Sequence, residues 1–263
     1  MRITSLGFRT DVALRVREGA QVTDRGDHLV IRTPDNPNFW WGNFLLLARV
    51  PGPGQSREWL ARFAAEFPGA RHVALGVDTA DDPAVPEDLM AAGLEPERAT
   101  VLAAVLAAGQ LRPPPHPNTE AEIRPLDSDA DWRQSVDLAT RCYDGGEPGD
   151  YLELRAVARR RVTQSGAGAW FGAFEGGRLM AQLGLFDAGD GYARYQHVET
   201  DPAARRRGLA GTLVWTAARY GREVLRPSTL VIVADPADTA IRVYRACGFT
   251  DRQNQLSFER RPV

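Results

Sequence analysis

Cysteine is scarce: Cys142 and Cys247 are the only two in 263 residues, too few for a disulfide framework, and each reads as a small buried hydrophobe. The four histidines (His28, His72, His116 and His197) show no ligand spacing with one another, with cysteine or with carboxylates, so a metal-free protein is expected. A dominant charge is missing too. Lys plus Arg number 32 and Asp plus Glu 34, a formal net charge of −2, which argues against a dedicated nucleic-acid binder. The first residues, MRITSLGFRTDVALRV, lack the apolar core of a signal peptide, and the longest apolar runs, such as Phe44 to Ala48, are far too short to span a bilayer. A cytoplasmic protein with neither a membrane nor a nucleic-acid partner is expected. The nucleotide fingerprints G-x-x-x-x-G-K-[ST] and G-x-G-x-x-G are absent, and no Ser-His-Asp constellation is readable.

What is present centres on Tyr195 to Val224. Ala193 to Thr200 is rich in β-branched and aromatic residues and reads as a strand; Asp201-Pro202 stops it. Leu209, Leu213, Val214, Ala217 and Ala218 then recur at helical spacing. The start of that helix carries Arg205, Arg206 and Arg207, where the dipole is already positive and the amides have no partner; each cation there is unfavourable by roughly 0.3–1 kcal/mol. A bound anion removes the conflict. Gly208, Ala210 and Gly211 carry little or no side chain, so a phosphate or pyrophosphate has room to reach the amides.

Arg205-Arg206-Arg207-Gly208-Leu209-Ala210 resembles the R/Q-x-x-G-x-G/A loop of the GNAT superfamily of acyl-CoA-dependent N-acyltransferases. The resemblance implies that this loop, with Leu209 and Gly211, cradles the CoA pyrophosphate, and that Val198, Glu199 and Thr200 pair through their backbone with the pantetheine arm. A second match is Ala240-Ile241-x-x-Tyr244-x-x-x-Gly248-Phe249, which fits the family's A-I-x-x-Y-x-x-x-G-F signature. It implies a cofactor-facing Tyr244 whose hydroxyl protonates the departing sulfur. The family often places Asn three residues before that Ala; here the position is Ala237, flanked by Asp238 and by Asp235, which is kept as the turn's cofactor contact. The resemblance is specific over about 190–250 and looser over the rest of 119–263.

The first half follows the same order without the chemistry. Leu29 to Ile31 and Phe39 to Val50 read as strands, Ser56 as the cap of a helix through Phe67, and Val73 to Val77 as a strand; Pro86 to Ala92 reads as a short helix, and Ala99 to Ala107 fits strand or helix equally. Arg49-Val50-Pro51 matches Thr200-Asp201-Pro202, Val73 to Asp78 matches Leu230 to Asp235, and Leu89 to Leu94 matches Tyr244 to Phe249. Such a repeat implies duplication of a fold unit. Aligned on the prolines, Gly208 becomes Arg57, Ala210 becomes Trp59 and Tyr244 becomes Leu89, so the first copy lacks both the bare turn and the hydroxyl.

The expected fold is α+β, a mixed sheet of mostly antiparallel strands flanked by helices, in two tandem GNAT-like domains. Residues 1–111 form a degenerate domain without a cofactor site, 112–118 a stiff proline-rich spacer, and 119–263 the catalytic domain. In the latter, Asp129 is expected to cap a helix, Tyr151 to Val162 to form the next, and Trp170 to Phe174 with Leu179 to Phe186 to make a hairpin. Tyr192 to Thr200 and Thr229 to Ala234 follow as strands, and Asn254 to Glu259 as the one closing the sheet. The acidic loop Tyr143 to Asp150 would suit a cationic amine.

The expected function is acetyl transfer from acetyl-CoA to a primary amine of a small-molecule or peptide acceptor, by direct attack, in a monomer or homodimer. A non-catalytic acyl-CoA sensor is the alternative. Tyr244 is the candidate acid, and Glu199, directly or through water, the candidate base. His197 has the better unperturbed pKa. Being two apart in a strand, His197 and Glu199 are expected to share a face, with Gln196 and Arg194 on the other; a base is dispensable if water carries the proton.

Overall fold

The computed structural model describes residues 1–143 and 149–261. The chain forms two compact units, Met1–Val101 with Gln253–Val263, and Leu102–Arg252. The first opens on helix α1 (Leu6–Arg17), unforeseen because Leu6, Phe8, Val12, Leu14 and Val16 are spaced by two more often than by four. Its start is fixed by Asp78, whose carboxylate accepts from the amides and hydroxyls of Thr4 and Ser5. Strands β1 (Gln21–Asp24) and β2 (His28–Arg32) follow. The strand expected over Phe39 to Val50 is cut short: Trp40–Gly42 is a 3-10 turn and β3 is only Phe44–Leu47. Asn43 is the cause, its side chain accepting from the Thr33 amide and donating to the carbonyls of Asn36 and Phe39. Helix α2 (Ser56–Glu66) starts without a side-chain cap, Ser56 being its first helical residue and not the cap expected. Strand β4 (Val73–Val77), helix α3 (Glu87–Ala91) and strand β5 (Glu95–Val105) complete the stretch. Val101 to Ala104 of β5 are all buried, and this removes the alternation that would have marked a strand.

The second unit contains β6 (Glu122–Pro125), α4 (Asp129–Cys142), α5 (Tyr151–Gln164), β7 (Gly168–Glu175), β8 (Arg178–Gly189) and β9 (Tyr192–Thr200). It continues with α6 (Leu209–Tyr220), β10 (Thr229–Ala234) and α7 (Ala240–Ala246); the last strand, β11, is Thr250–Arg260. The cap of α4 is Ser128, not Asp129: its hydroxyl accepts from the Asp131 amide while the Asp131 carboxylate accepts from the Ser128 amide.

Strand order in the first unit is β1-β2-β3-β4-β11, and in the second β10-β9-β8-β7-β6. The pairs β3–β4 and β9–β10 are parallel; β1–β2, β2–β3, β4–β11, β6–β7, β7–β8 and β8–β9 are antiparallel. The run strand, helix, strand, short helix, strand therefore occurs twice, as β3 to β5 and as β9 to β11. The strand expected at Asn254 to Glu259 forms, but it pairs with β4, Leu256 opposite Val77 and Phe258 opposite Leu75, because both side chains bury in the cluster of Trp59, Phe63 and Leu75. The second unit has its own core, built from Phe171, Leu183, Leu185, Leu209, Leu213, Ile232 and Tyr244 among others. The proline stretch is not a free spacer. The Arg112 amide donates to the Cys247 carbonyl at 3.1 Å and the Asn118 amide to Thr212 Oγ1 at 2.8 Å, which lays 112–118 along α6 and the end of α7. Among the described residues, no helix is long and apolar enough to cross a membrane.

Candidate active site

Strands β9 and β10 are joined only at their beginnings. Tyr192 pairs with Thr229, Ala193 with Leu230 and Arg194 with Val231; past that point β9 runs on to Thr200 and β10 to Ala234 without pairing to each other. The counterpart pair in the first unit stays closed. Leu45, Leu46 and Leu47 face Leu75, Gly76 and Val77, and the Asp78 amide still donates to the Leu47 carbonyl at 2.8 Å. An opened parallel pair leaves backbone groups without a partner at the carboxyl ends of the strands, where ligands of such sheets bind.

β9 also carries a bulge. Gln182 pairs with Glu199 and Gly184 with Gln196, two steps on β8 against three on β9, and the extra residue, His197, has φ +44°. A non-glycine residue held there costs about 1–3 kcal/mol and is found where surrounding structure enforces it. The bulge corrects the assignment of faces: Gln196 and Glu199 lie on one face, because their partners on β8 are two residues apart. His197 is nevertheless near Glu199, Nδ1 to Oε1 being 3.9 Å.

Glu199 is held from below. Gln182 Nε2 donates to Glu199 Oε2 at 2.7 Å and to the Ser135 carbonyl at 3.1 Å. Its Oε1 accepts from Ser135 Oγ at 2.5 Å and Trp170 Nε1 at 3.0 Å. Gln182 is fully buried, and these four bonds satisfy its amide. From α5, Arg155 Nη2 lies 2.6 Å from His197 Nε2. Sequence reasoning missed Gln182, Ser135 and Arg155. The available signal was Gln182 itself, a lone polar residue in the apolar run Leu179 to Phe186. Nearby, Gln196 is only 6% exposed, and its Nε2 has no hydrogen-bond partner among the described residues.

The opening leads to the start of α6. Gly208 is the N-cap at φ +78° and Arg206 also has positive φ, +62°. Among the described residues, the amides of Arg206 to Gly211 meet no acceptor, so the helix presents its full set of free N–H groups. The three arginines differ. Arg207 is paired with Glu175 at 2.9 Å and Glu120 at 3.4 Å, whereas Arg205 and Arg206 are exposed with no carboxylate partner among the described residues. The glycines also have a reason other than the one expected. A Cβ on Gly208 would stand 2.3 Å from the His116 carbonyl oxygen, and one on Gly211 2.9 Å from Pro114 Cβ. The proline stretch thus lies against the Cα side of this turn, and Asn118 Nδ2 donates to the Arg207 carbonyl.

Val198, Glu199 and Thr200 are all half-buried on the opened part of β9; the Thr200 carbonyl accepts from Cys142 Sγ at 3.5 Å. Ala210 is half-buried and Leu209 buried. The Asp235 carboxylate is exposed and accepts from the Ala237 amide at 2.7 Å, so it is engaged in its own turn at the end of β10. Tyr244 on α7 is 5% exposed, in the buried cluster that also holds Leu209, Leu213 and Ile232. Its hydroxyl has no hydrogen-bond partner among the described residues. Burial, with the Asp238 carboxylate second, raises this phenol well above its usual value, so it stays protonated at neutral pH. Burial likewise pushes the Cys247 thiol up to about 11, and burial plus the nearby Glu199 does the same for Cys142; neither is a thiolate at neutral pH. Of the acidic loop, Asp144 to Pro148 lie outside the described residues.

A parallel pair opened at its carboxyl ends leads into a helix start whose amides, and two of whose guanidinium groups, meet no acceptor or carboxylate among the described residues, an arrangement able to receive an anionic group. Residues 132–249 match the acetyltransferase (GNAT) family. The whole chain is similar in fold to a GCN5-related N-acetyltransferase from Kribbella flavida (TM-score 0.62, 15% identity, 97% of this chain and 96% of that one). It is similar also to a functionally unknown conserved protein from Staphylococcus epidermidis (TM-score 0.70, 11% identity, 93% and 95%). A tandem GNAT protein from the clavulanic acid biosynthesis pathway superposes with a TM-score of 0.54 at 14% identity, over 97% of this chain and 88% of that one. No curated protein matches the chain in sequence.

Proposed function

We propose that the chain is an acetyl-CoA-dependent N-acetyltransferase acting on a primary amine of a small-molecule or peptide acceptor, with the cofactor held by the second unit alone. The observation that carries this reading is the contrast between the two parallel pairs: β9–β10 is open beside the free amides of α6, and β3–β4 is zipped shut. The described residues fit the cofactor. Backbone groups of Val198 to Thr200 would pair with an amide-bearing arm, and the amides of Arg206 to Gly211 with Arg205 and Arg206 would hold a pyrophosphate. Acetyl-CoA supplies the activated thioester acyl group when bound. Glu199 takes the proton of the attacking amine, directly or through water, and Tyr244, kept protonated by burial, donates to the sulfur as it leaves. The protonated Cys142 and Cys247 have no part in direct attack. The first unit, with its closed strand pair, serves as scaffold.

The test is thiol release from acetyl-CoA across a panel of amines, on wild type and Tyr244→Phe. The chain contains no lysine, its 32 basic side chains all being arginine, so no side-chain amine of its own consumes acetyl-CoA. Wild type is expected to turn over at least one amine, and Tyr244→Phe to lose about 10²- to 10⁴-fold in kcat with CoA affinity kept. Tight CoA binding without turnover of any amine would instead support the sensor.

A further inference from the structure

The sequence leaves two groups on β9 competing for the role of proton acceptor, and the structure distinguishes them. The guanidinium of Arg155 has only N–H donors and stays charged. It comes from the buried face of α5, 4% exposed, and its Nη2 is 2.6 Å from His197 Nε2. That nitrogen must therefore accept, and the neutral ring carries its one proton on Nδ1. The bulge at His197 turns Nδ1 toward Glu199, 3.9 Å from Oε1. The other carboxylate oxygen receives the N–H of Gln182, whose orientation is fixed because its oxygen accepts from Ser135 and Trp170.

We propose that Arg155 is a positioning residue: by donating to Nε2 it occupies the one lone pair of His197, bars the ring from taking a second proton, and leaves Glu199 as the acceptor for the amine proton. Its catalytic consequence rests on the acetyltransferase reading; the tautomer does not. A protonated His197 would set an N–H against a guanidinium 2.6 Å away, an arrangement with neither a hydrogen bond nor favourable charge. Besides Glu199, these charged and titratable groups stand near the pair among the described residues. Tyr151 of α5 accepts from Arg155 Nη1 at 3.3 Å. Cys142 of α4 is protonated and donates to the Thr200 carbonyl. Asp201, beyond β9, is neutralised by Arg141 at 2.9 Å and Arg178 at 3.2 Å.

The experiment is ¹⁵N NMR of the histidine rings in the full chain from pH 5 to 8, with His197 assigned by its loss in His197→Asn. Wild-type His197 is expected to show a protonated Nδ1, an unprotonated Nε2 and no titration over that range. Arg155→Met is expected to let the ring titrate near about 6.5, and Arg155→Lys, which keeps a charged donor, to restore the non-titrating state. In kcat/KM, Arg155→Met should lose about fourfold more than wild type between pH 8 and pH 6, as a group of pKa about 6.5 dictates, and Arg155→Met with His197→Asn should not. A wild-type His197 that titrates near 6.5, or carries its proton on Nε2, overturns the proposal whether or not any amine is acetylated. If Arg155→Met does not fold, the wild-type spectrum alone decides. A correct tautomer with no turnover of any amine counts against the acetyltransferase reading and leaves the positioning of His197 standing.

Discussion

Gly208 offers the sharpest separation of two explanations for one residue. Replacing it by alanine meets two obstacles. The backbone sits at φ +78°, a left-handed conformation that costs an L-residue roughly 1–2 kcal/mol. The new Cβ would lie 2.3 Å from the His116 oxygen and 3.0 Å from the Asn118 nitrogen, both backbone atoms, so the proline stretch must move, at about 1–3 kcal/mol. Together these predict a loss of about 2–5 kcal/mol and a melting temperature lower by on the order of 10 °C. Gly211→Ala is the internal control. It lies on a helix without positive φ, and its Cβ meets side-chain atoms alone, Pro114 Cβ at 2.9 Å and Val243 Cγ1 at 3.4 Å, so it should cost about 1 kcal/mol or less. Thermal melting by circular dichroism, paired with calorimetric titration of CoA, reads both quantities. Gly208→Ala that melts like wild type yet no longer binds CoA would refute the packing argument and return the glycine to the ligand.

Other expectations follow from single contacts. Arg205→Ala and Arg206→Ala should each weaken CoA binding by a few-fold, roughly 1 kcal/mol at most for exposed cations, with the loss shrinking at high salt; Arg207→Ala, whose charge is taken by Glu175 and Glu120, should weaken it less. The Arg124 guanidinium and the amides of Asp127 and Ser128 hold the Asp131 carboxyl well below the usual carboxylate range. Its folded pKa lies under its unfolded one, so its contribution is complete above about pH 4 and is lost as pH falls through and below the ordinary aspartate value. Urea melts at pH 7, 5 and 3 should show that loss in wild type and a flatter response in Asp131→Asn, which is less stable at pH 7. Ser135→Ala leaves Gln182 Oε1 with one partner in a dry site; we expect about 1–3 kcal/mol of destabilisation and a lower kcat from a looser Glu199.

Where the sequence carried a period or a stop signal, the fold was readable. The β7–β8 hairpin, β9, β10 and the helix after Pro202 stand where alternation, apolar runs and proline put them. The internal repeat was legible too, because strand, helix and strand recur in matched order. What escaped depended on contacts distant in sequence. The closing strand β11 pairs with β4, and no local pattern names a strand's partner. The bulge at His197 is one residue of surplus in a strand that reads as regular, yet it reverses which residues share a face with Glu199. Arg155 is one of four arginines on α5 and nothing in its spacing marks it out, yet it is buried. The glycines of the α6 turn stood out for the room they leave, but the atoms nearest them, the His116 carbonyl at Gly208 and the Pro114 ring at Gly211, belong to the proline stretch some ninety residues earlier.

The central claim is that an acyl-CoA lies in the opening between β9 and β10 and ends on the amides of α6. Amide hydrogen exchange with and without acetyl-CoA tests it directly. Slowed exchange confined to about 196–200 and 206–211, with no change at Ser56 to Leu60 of α2, is the result the account predicts. Unchanged exchange in both stretches at saturating acetyl-CoA, or equal protection at the start of α2, would contradict it.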